Sequence, residues 1–241
     1  DRGAILIRVD NYLVENTLAG SRTKAQAMIK EGLVVVNGEV MLKPSLKVSS
    51  SDEVRVKEHK EYVSRSAHKL ASFLDELKID INSKVALDIG SSTGGFTQVL
   101  LEYGASEVTA VDVGKEQLHE TLKKDARVHS FESCDIRDFK SEKQFDLVTS
   151  DVAFISLLNI LDDVERLACG NIILLFKPQF EVGREAKRDK NGVVTDEKAI
   201  LKAMVKFEDA CSIKGWKLIL KSPSKLTGKE GNLEYCYCYE K

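Results

Sequence analysis

The sequence predicts an α/β chain in two parts: a small α+β module, then a larger domain built on a seven-stranded, mostly parallel sheet. Three observations carry this reading. From residue 63 onward, apolar runs of strand length alternate with amphipathic stretches, the pattern of a parallel sheet covered on both faces. The first run, KVALDIGSSTGGF over residues 84–96, ends in an acid and breaks into a turn of small residues, as where a strand enters a ligand loop. Ahead of it, about 55 residues combine two short helical patterns with small strands, a separate compact unit. The expected limits are 1–57 for the first domain, 58–62 for a linker (polar KEHKEY, residues 57–62, has no period) and 63–241 for the second.

In order, residues 8–18 place Val9, Tyr12, Leu13 and Leu18 at near-helical spacing, and Ser21 caps a second helix carrying Ala25, Met28 and Ile29, which Gly32 ends. Val34–Val36, the Asn37-Gly38 turn and residues 40–42 read as a hairpin, with Val54–Val56 as a further strand. In the second domain Ser64 caps a helix with Ala67, Leu70, Ala71, Leu74 and Leu77 on one face, while Arg65 and Lys69 project elsewhere. Strands are expected at 85–88, 108–111, 128–131, 145–149 and 172–176. The last two runs, 216–221 and 234–239, pair antiparallel at one sheet edge.

Composition bounds the function. In 241 residues the charged fraction is 31% and the net charge −2, so any basic surface is local. Five cysteines, odd in number and without Cys-x-x-Cys spacing, point to a reduced, cytoplasmic, metal-free protein, expected as a monomer. No run approaches the ~18 apolar residues of a membrane span, and no signal peptide is expected; residues 1–6 are given no functional weight.

The glycine spacing is Gly90-x-x-x-Gly94-Gly95, neither the Gly-x-Gly-x-x-Gly of dinucleotide sites nor a P-loop. Asp112 ends the next apolar run, about 24 residues beyond Asp88, where an acid commonly holds a ribose diol. Two strands ending in acids without a diphosphate loop favour S-adenosylmethionine over NAD or ATP. The expected contacts are Asp88, Gly90, Ser91, Ser92, Thr93, Gly94, Gly95, Phe96, Asp112, Val113, Asp135 and Asp151; the bland alternative is a tight turn with no ligand.

Asp151 follows the fourth strand and Lys177 the fifth, and in an open parallel sheet all carboxyl strand ends meet at one crevice. Pro178 holds Lys177 out of helical geometry. A second cation beside it, for which Lys69 is the candidate, would favour a neutral Lys177 able to accept a proton as general base. The stretch 183–194, GREAKRDKNGVV, reads as a mobile basic loop meeting RNA through Arg184, Lys187 and Arg188, or as ordinary surface. Trp216 and Cys134 read as core.

Two resemblances sharpen this. SRTKAQAMIKEGLVVVNGEVMLKPSLKV resembles the S-four-like RNA-binding domain, which implies contacts to structured RNA from Ser21, Arg22, Lys24, Lys30, Asn37, Lys43 and Lys47. Arg8 and Arg65 join them as candidates. Residues 1–60 hold 10 Lys or Arg against 8 Asp or Glu, so charge alone would not have suggested RNA. Further on, SRSAHKL, ALDIGSSTGGFT, AVDVGKEQL, SDVAFISL, FKPQFEVG, NGVV and GNLEY, in that order, resemble the TlyA family over about residues 8–239. Its members carry a haemolysin name in older usage, but their catalytic half is similar to FtsJ-type rRNA 2′-O-methyltransferases.

The resemblance implies a Rossmann-like seven-stranded methyltransferase domain, S-adenosyl-L-methionine as cofactor, and a cytidine ribose 2′-oxygen of ribosomal RNA within ribosomal subunits as acceptor. The large subunit is the implied target, with the small subunit added in longer members. It further implies a Lys-Asp-Lys-Glu tetrad on Lys69, Asp151, Lys177 and Glu234. Lys177 would accept the hydroxyl proton, Lys69 would help to position the oxygen, and the two acids would orient the lysines. Departures are Ser66 for a frequent glycine, Ala153 for a serine, and Lys115-Glu116 for a more usual Tyr-Gly. Two rival classes are an RNA-binding assembly factor with a vestigial cofactor site, opposed by the complete tetrad, and a pore former, opposed by the lack of an apolar span.

Overall fold

The computed structural model describes residues 4–57 and 62–241, so the expected linker lies, apart from Tyr62, outside the described residues. The chain divides into two compact units, residues 1–61 and 62–241.

In the first unit β1 (Ile7–Arg8) leads into α1 (Val9–Glu15), and α2 (Arg22–Lys30) follows. Ser21 Oγ accepts the Lys24 N–H at 3.2 Å, the expected cap, and Gly32 stops the helix at φ +76°. β2 (Val34–Val36) and β3 (Glu39–Val40) form the hairpin; Asn37 and Gly38 both have positive φ, the turn that matches strand twist. β4 (Lys47–Val48) pairs with β1, and β5 (Val54–Val56) with β2. Val9, Leu13, Ala25, Ile29, Val34 and Val48 close the core. The two-residue pairing of β1 with β4 is not in the sequence reading, since so short a strand shows no period.

The second unit opens with α3 (Arg65–Leu77), β6 (Val85–Ile89), α4 (Gly95–Glu102), β7 (Glu107–Val111), α5 (Glu120–Lys123), β8 (Val128–Phe131) and β9 (Phe145–Ser150). A 3₁₀ turn (Leu157–Asn159) and α6 (Leu161–Leu167) precede β10 (Ala168–Phe176), α7 (Pro178–Glu181), α8 (Glu197–Ile213), β11 (Lys217–Pro223) and β12 (Tyr235–Glu240). The sheet order is β11-β12-β10-β9-β6-β7-β8, with β12 antiparallel to both neighbours and the rest parallel. Tyr62 belongs with this unit, its ring 4.8 Å from that of His68.

Period-two alternation splits the core between the two faces. On β10, Ile172, Leu174 and Phe176 face the side of α6 and α8, while Ile173 and Leu175 face that of α3 and α4. On β12, Tyr237 and Tyr239 take the first side and Cys236 and Cys238 the second. Each fully buried Leu or Phe contributes roughly 1.5–3 kcal/mol. Trp216 lies in this core, 5% exposed, with its indole N–H directed at Glu165.

β6 continues into β7 on one side and neighbours β9 on the other, so the chain reverses its direction of winding between β6 and β9. Ligand crevices in open α/β sheets form at that point.

Candidate active site

The carboxyl ends of β6 and β9 touch directly: the Asp151 N–H donates to the Ile89 carbonyl at 3.0 Å. Gly90 follows at φ +77°, and a Cβ there would lie 2.5 Å from the Asp151 carbonyl oxygen, so only glycine allows this approach. The other two glycines serve packing instead. A Cβ on Gly94 would meet Leu122 at 2.2 Å, and one on Gly95 would meet Ser64 Oγ at 2.1 Å where α4 passes α3. Ser64 stands at the N-cap position of α3, but its side chain makes no cap hydrogen bond, unlike the expected cap.

A small cavity of about 50 Å³ opens here, lined by Ser64, Ser66, Gly90, Ser91, Gly95 and Asp151, with Ser92 and Phe96 completing its wall. Ser91 is 7% exposed and lines this cavity, its N–H donating to the Val111 carbonyl at 3.2 Å. A ligand the size of S-adenosylmethionine would extend beyond it along Asp112 and Val113, the latter 73% exposed after β7.

Several expected contacts sit elsewhere. Asp88 does not close its strand or face the crevice; it is fully buried, accepting from Thr97 Oγ1 at 2.7 Å and Thr149 Oγ1 at 3.2 Å. Burial, with the nearby Asp151 charge, pushes its carboxyl up to about 7. Asp88 therefore braces the base of the turn. Asp112 accepts the Ser92 and Gly114 N–H groups at 2.8 and 2.7 Å, tying the turn to the next loop. Thr93 points away, its hydroxyl 3.5 Å from the Val63 carbonyl. Asp135 is gripped by Arg137 at 3.0 and 2.7 Å, which holds its carboxyl below the ordinary range.

The four tetrad positions come together as two ion pairs. Lys69 Nζ lies 2.7 Å from Glu234 Oε1, and Lys177 Nζ lies 2.5 Å from Asp151 Oδ1. The second is an ionic contact without hydrogen-bond geometry, since Asp151 Oδ1 is buried and accepts no hydrogen bond. Gln179 Nε2 donates to Glu234 Oε2 at 3.1 Å, so both carboxylate oxygens of Glu234 are held. Lys69 lies off the apolar stripe of α3 yet is buried, 6% exposed, where Glu234 supplies the counter-charge. The nearest charged partner of Lys177 is Asp151 rather than a second lysine.

Lys69, Lys177 and Glu234 line a second cavity of about 710 Å³, which shares Ser64 and Ser66 with the first. That volume lies within the ~300–1,000 Å³ of sites that enclose small ligands. Phe154, missed in the sequence reading, lines it 91% exposed at φ +63°, its ring 5.1 Å from Phe180. A bulky residue in the left-handed region is strained backbone, and here it stands at the wall of the cavity. Its place in SDVAFISL, just beyond Asp151, is the one signal that could have found it.

Residues 62–241 match the FtsJ-like methyltransferase family and residues 7–54 the S4 domain. The chain belongs to the FtsJ-like methyltransferase family. It is 44% identical to the 23S rRNA (cytidine-2′-O)-methyltransferase TlyA of Campylobacter jejuni, over 96% of this chain and 98% of that one. It is 38% identical to the 16S/23S rRNA (cytidine-2′-O)-methyltransferase TlyA of Mycobacterium tuberculosis, covering 95% and 87%. A solved Streptococcus thermophilus protein described as a hemolysin superposes with TM-score 0.71 at 35% identity, over 98% of this chain and 88% of that one.

Elsewhere in the methyltransferase unit, Arg65 lines the large cavity and lies 3.4 Å from the Thr227 carbonyl. Arg188 lines it too, whereas Arg184 and Lys187 are exposed away from it. Within the expected loop of residues 183–194, residues 188–194 close as a short hairpin: Arg188 pairs with Val194, Asp189 Oδ1 accepts from Asn191 and Val193 N–H groups, and buried Asn232 accepts the Val194 N–H at 3.0 Å. Asp189-Lys190-Asn191-Gly192 is a turn signature that outweighs its basic composition.

In the S4 unit Lys24, Lys30, Lys43 and Lys47 are exposed and Ser21 serves as the helix cap. Arg8 grips the buried Asp10 at 3.1 and 2.9 Å, with Arg22 at 3.4 Å and Gln26 at 3.1 Å on the same carboxylate. Asn37, exposed in its turn, uses its amide on the fold, donating to Asp52 and accepting the Glu53 N–H, both at 2.9 Å.

Proposed function

We propose that this methyltransferase transfers a methyl group from S-adenosylmethionine to the ribose 2′-oxygen of a cytidine in ribosomal RNA. The large subunit is the target, with the small subunit as a second candidate, and the protein acts as a cytoplasmic monomer. One observation carries the reading: two shielded lysine–carboxylate pairs face a cavity adjoining a glycine turn. The activities of the relatives support the same acceptor.

Gly90, Ser91 and Ser92 would hold the cofactor, with Asp112 fixing that turn through the Ser92 N–H and the exposed Val113 against its apolar part. When bound, the cofactor supplies a sulfonium-activated methyl group, so the protein must chiefly align an oxygen and remove its proton. For Lys177 to receive the 2′-hydroxyl proton its ammonium must first give one up, and Asp151 Oδ1, 2.5 Å away and accepting no other hydrogen bond, is placed to take it and to fix the direction of the amine. Lys69, held by Glu234, donates a hydrogen bond to the oxygen as charge develops. Gln179 keeps Glu234 turned toward Lys69. Phe154 offers an apolar face to the acceptor base. In the S4 unit, Arg8, Arg22 and the exposed lysines contact the RNA backbone.

The test incubates the full chain with labelled S-adenosylmethionine and separated ribosomal subunits. Label in the RNA of either subunit is expected, and its absence from both overturns the reading. No helix among the described residues is long and apolar enough to cross a membrane.

A further inference from the structure

We propose that Glu181 is a positioning residue for methyl transfer, tying the loop that carries Asp151 and Phe154 to the segment that carries Lys177, Gln179 and Phe180. The inference rests on the function proposed above. β9 and β10 are parallel neighbours, and their ladder ends at Leu174 and Ser150. Asp151 and Lys177 stand just beyond it, each at the root of a separate segment.

Glu181, the last residue of α7, reaches across. Its Oε2 accepts the Ser156 hydroxyl at 2.6 Å and its Oε1 the Leu157 N–H at 2.8 Å. Ser156 Oγ accepts the Leu158 N–H at 3.1 Å, so one chain of hydrogen bonds runs from α7 into the 3₁₀ turn. Between Ser150 and that turn the backbone has no regular structure. The loop is therefore held at its roots, Asp151 on Ile89 and Ser156–Leu157 on Glu181, with Phe154 strained between them. Burial pushes the Glu181 carboxyl up while its two donors favour the charged form. A side chain kept under opposing demands in this way is doing what an apolar residue could not.

A purely structural Glu181 would matter for stability alone, whereas a positioning one matters for the chemical step. Full-chain Glu181→Ala, Glu181→Gln and Ser156→Ala are compared for kcat, KM for ribosomal RNA, S-adenosylmethionine Kd, thermal midpoint and amide exchange at Leu157. Glu181→Ala is expected to lower kcat by about 10- to 100-fold, the scale of a small misplacement of reacting groups. It leaves cofactor Kd within about twofold and speeds Leu157 exchange. Glu181→Gln can still accept from Leu157 and donate to Ser156, and recovers most of the rate. Ser156→Ala shows part of the loss, and the double variant is no worse than Glu181→Ala alone. An unchanged kcat in Glu181→Ala overturns the proposal, as does a loss that tracks the thermal midpoint and is not rescued by glutamine. If the wild type transfers no methyl to RNA the proposed function falls, and unchanged Leu157 exchange in Glu181→Ala then overturns the tie on its own.

Discussion

Lys69 Nζ meets Glu234 Oε1 at 2.7 Å with the two side chains 7% and 2% exposed, joining the helix before the sheet to the residue that enters β12. Two charges so shielded stabilise one another only as a pair. Removing one leaves the other without compensation at a cost of ~3–5 kcal/mol. Glu234→Ala should lower unfolding free energy in urea by about that amount, and the double change Lys69→Met with Glu234→Leu should recover much of it without restoring methyl transfer.

Gly90 and Gly95 separate ligand binding from packing. Gly90→Ala forces a Cβ against the Asp151 carbonyl at a positive φ, so it should weaken S-adenosylmethionine binding measured by calorimetry by at least about tenfold. Gly95→Ala drives a Cβ into Ser64 and Ala67, and should lower the thermal midpoint more than it changes cofactor affinity.

Much of this was legible in advance, and the reasons for the rest are physical. The alternation of strands and helices, the Asn37-Gly38 hairpin and the Ser21 cap depend on neighbours close in sequence, which a single chain displays. Lys69 and Glu234 lie far apart in the chain, so their grouping came from the family resemblance, while their direct pairing and burial show only in the fold. Asp88 is drawn inward by Thr97 and Thr149, and a strand-end acid looks the same in sequence whether it faces a ligand or two hydroxyls. Asn37 showed its turn but not its bonds to Asp52 and Glu53. The hairpin at 188–194 was hidden by its charge, and Phe154 read as one more apolar residue because its left-handed backbone leaves no trace in composition.

Asp88 should leave a signature in pH. Its carboxyl rises from the ordinary 3.8 to about 7 in the fold, so the native state binds its proton more tightly than the unfolded chain. The stability this adds is complete below about pH 4 and lost as pH rises toward 7. Asp88→Asn keeps the shape without the titration, and its denaturation free energy should fall less than that of the wild type across that window.

Asp10 holds Arg8 and Arg22 together, and those bonds keep its carboxyl well below the ordinary range. Asp10→Ala should release both guanidiniums and weaken RNA binding despite adding net positive charge. Arg8→Ala should instead reduce the slope of log affinity against log salt by about one. Tighter binding by Asp10→Ala in a filter assay would contradict this.

The most direct test is mass spectrometry of nucleosides digested from ribosomal RNA after incubation with methyl-labelled S-adenosylmethionine, with Lys177→Ala beside the wild type. Labelled 2′-O-methylcytidine from the wild type, and its loss by about 100-fold or more in a Lys177→Ala chain that still binds cofactor, is the predicted result. Label on a base, or undiminished 2′-O-methylcytidine from Lys177→Ala, would contradict the assignment of Lys177 and Asp151 to ribose methylation.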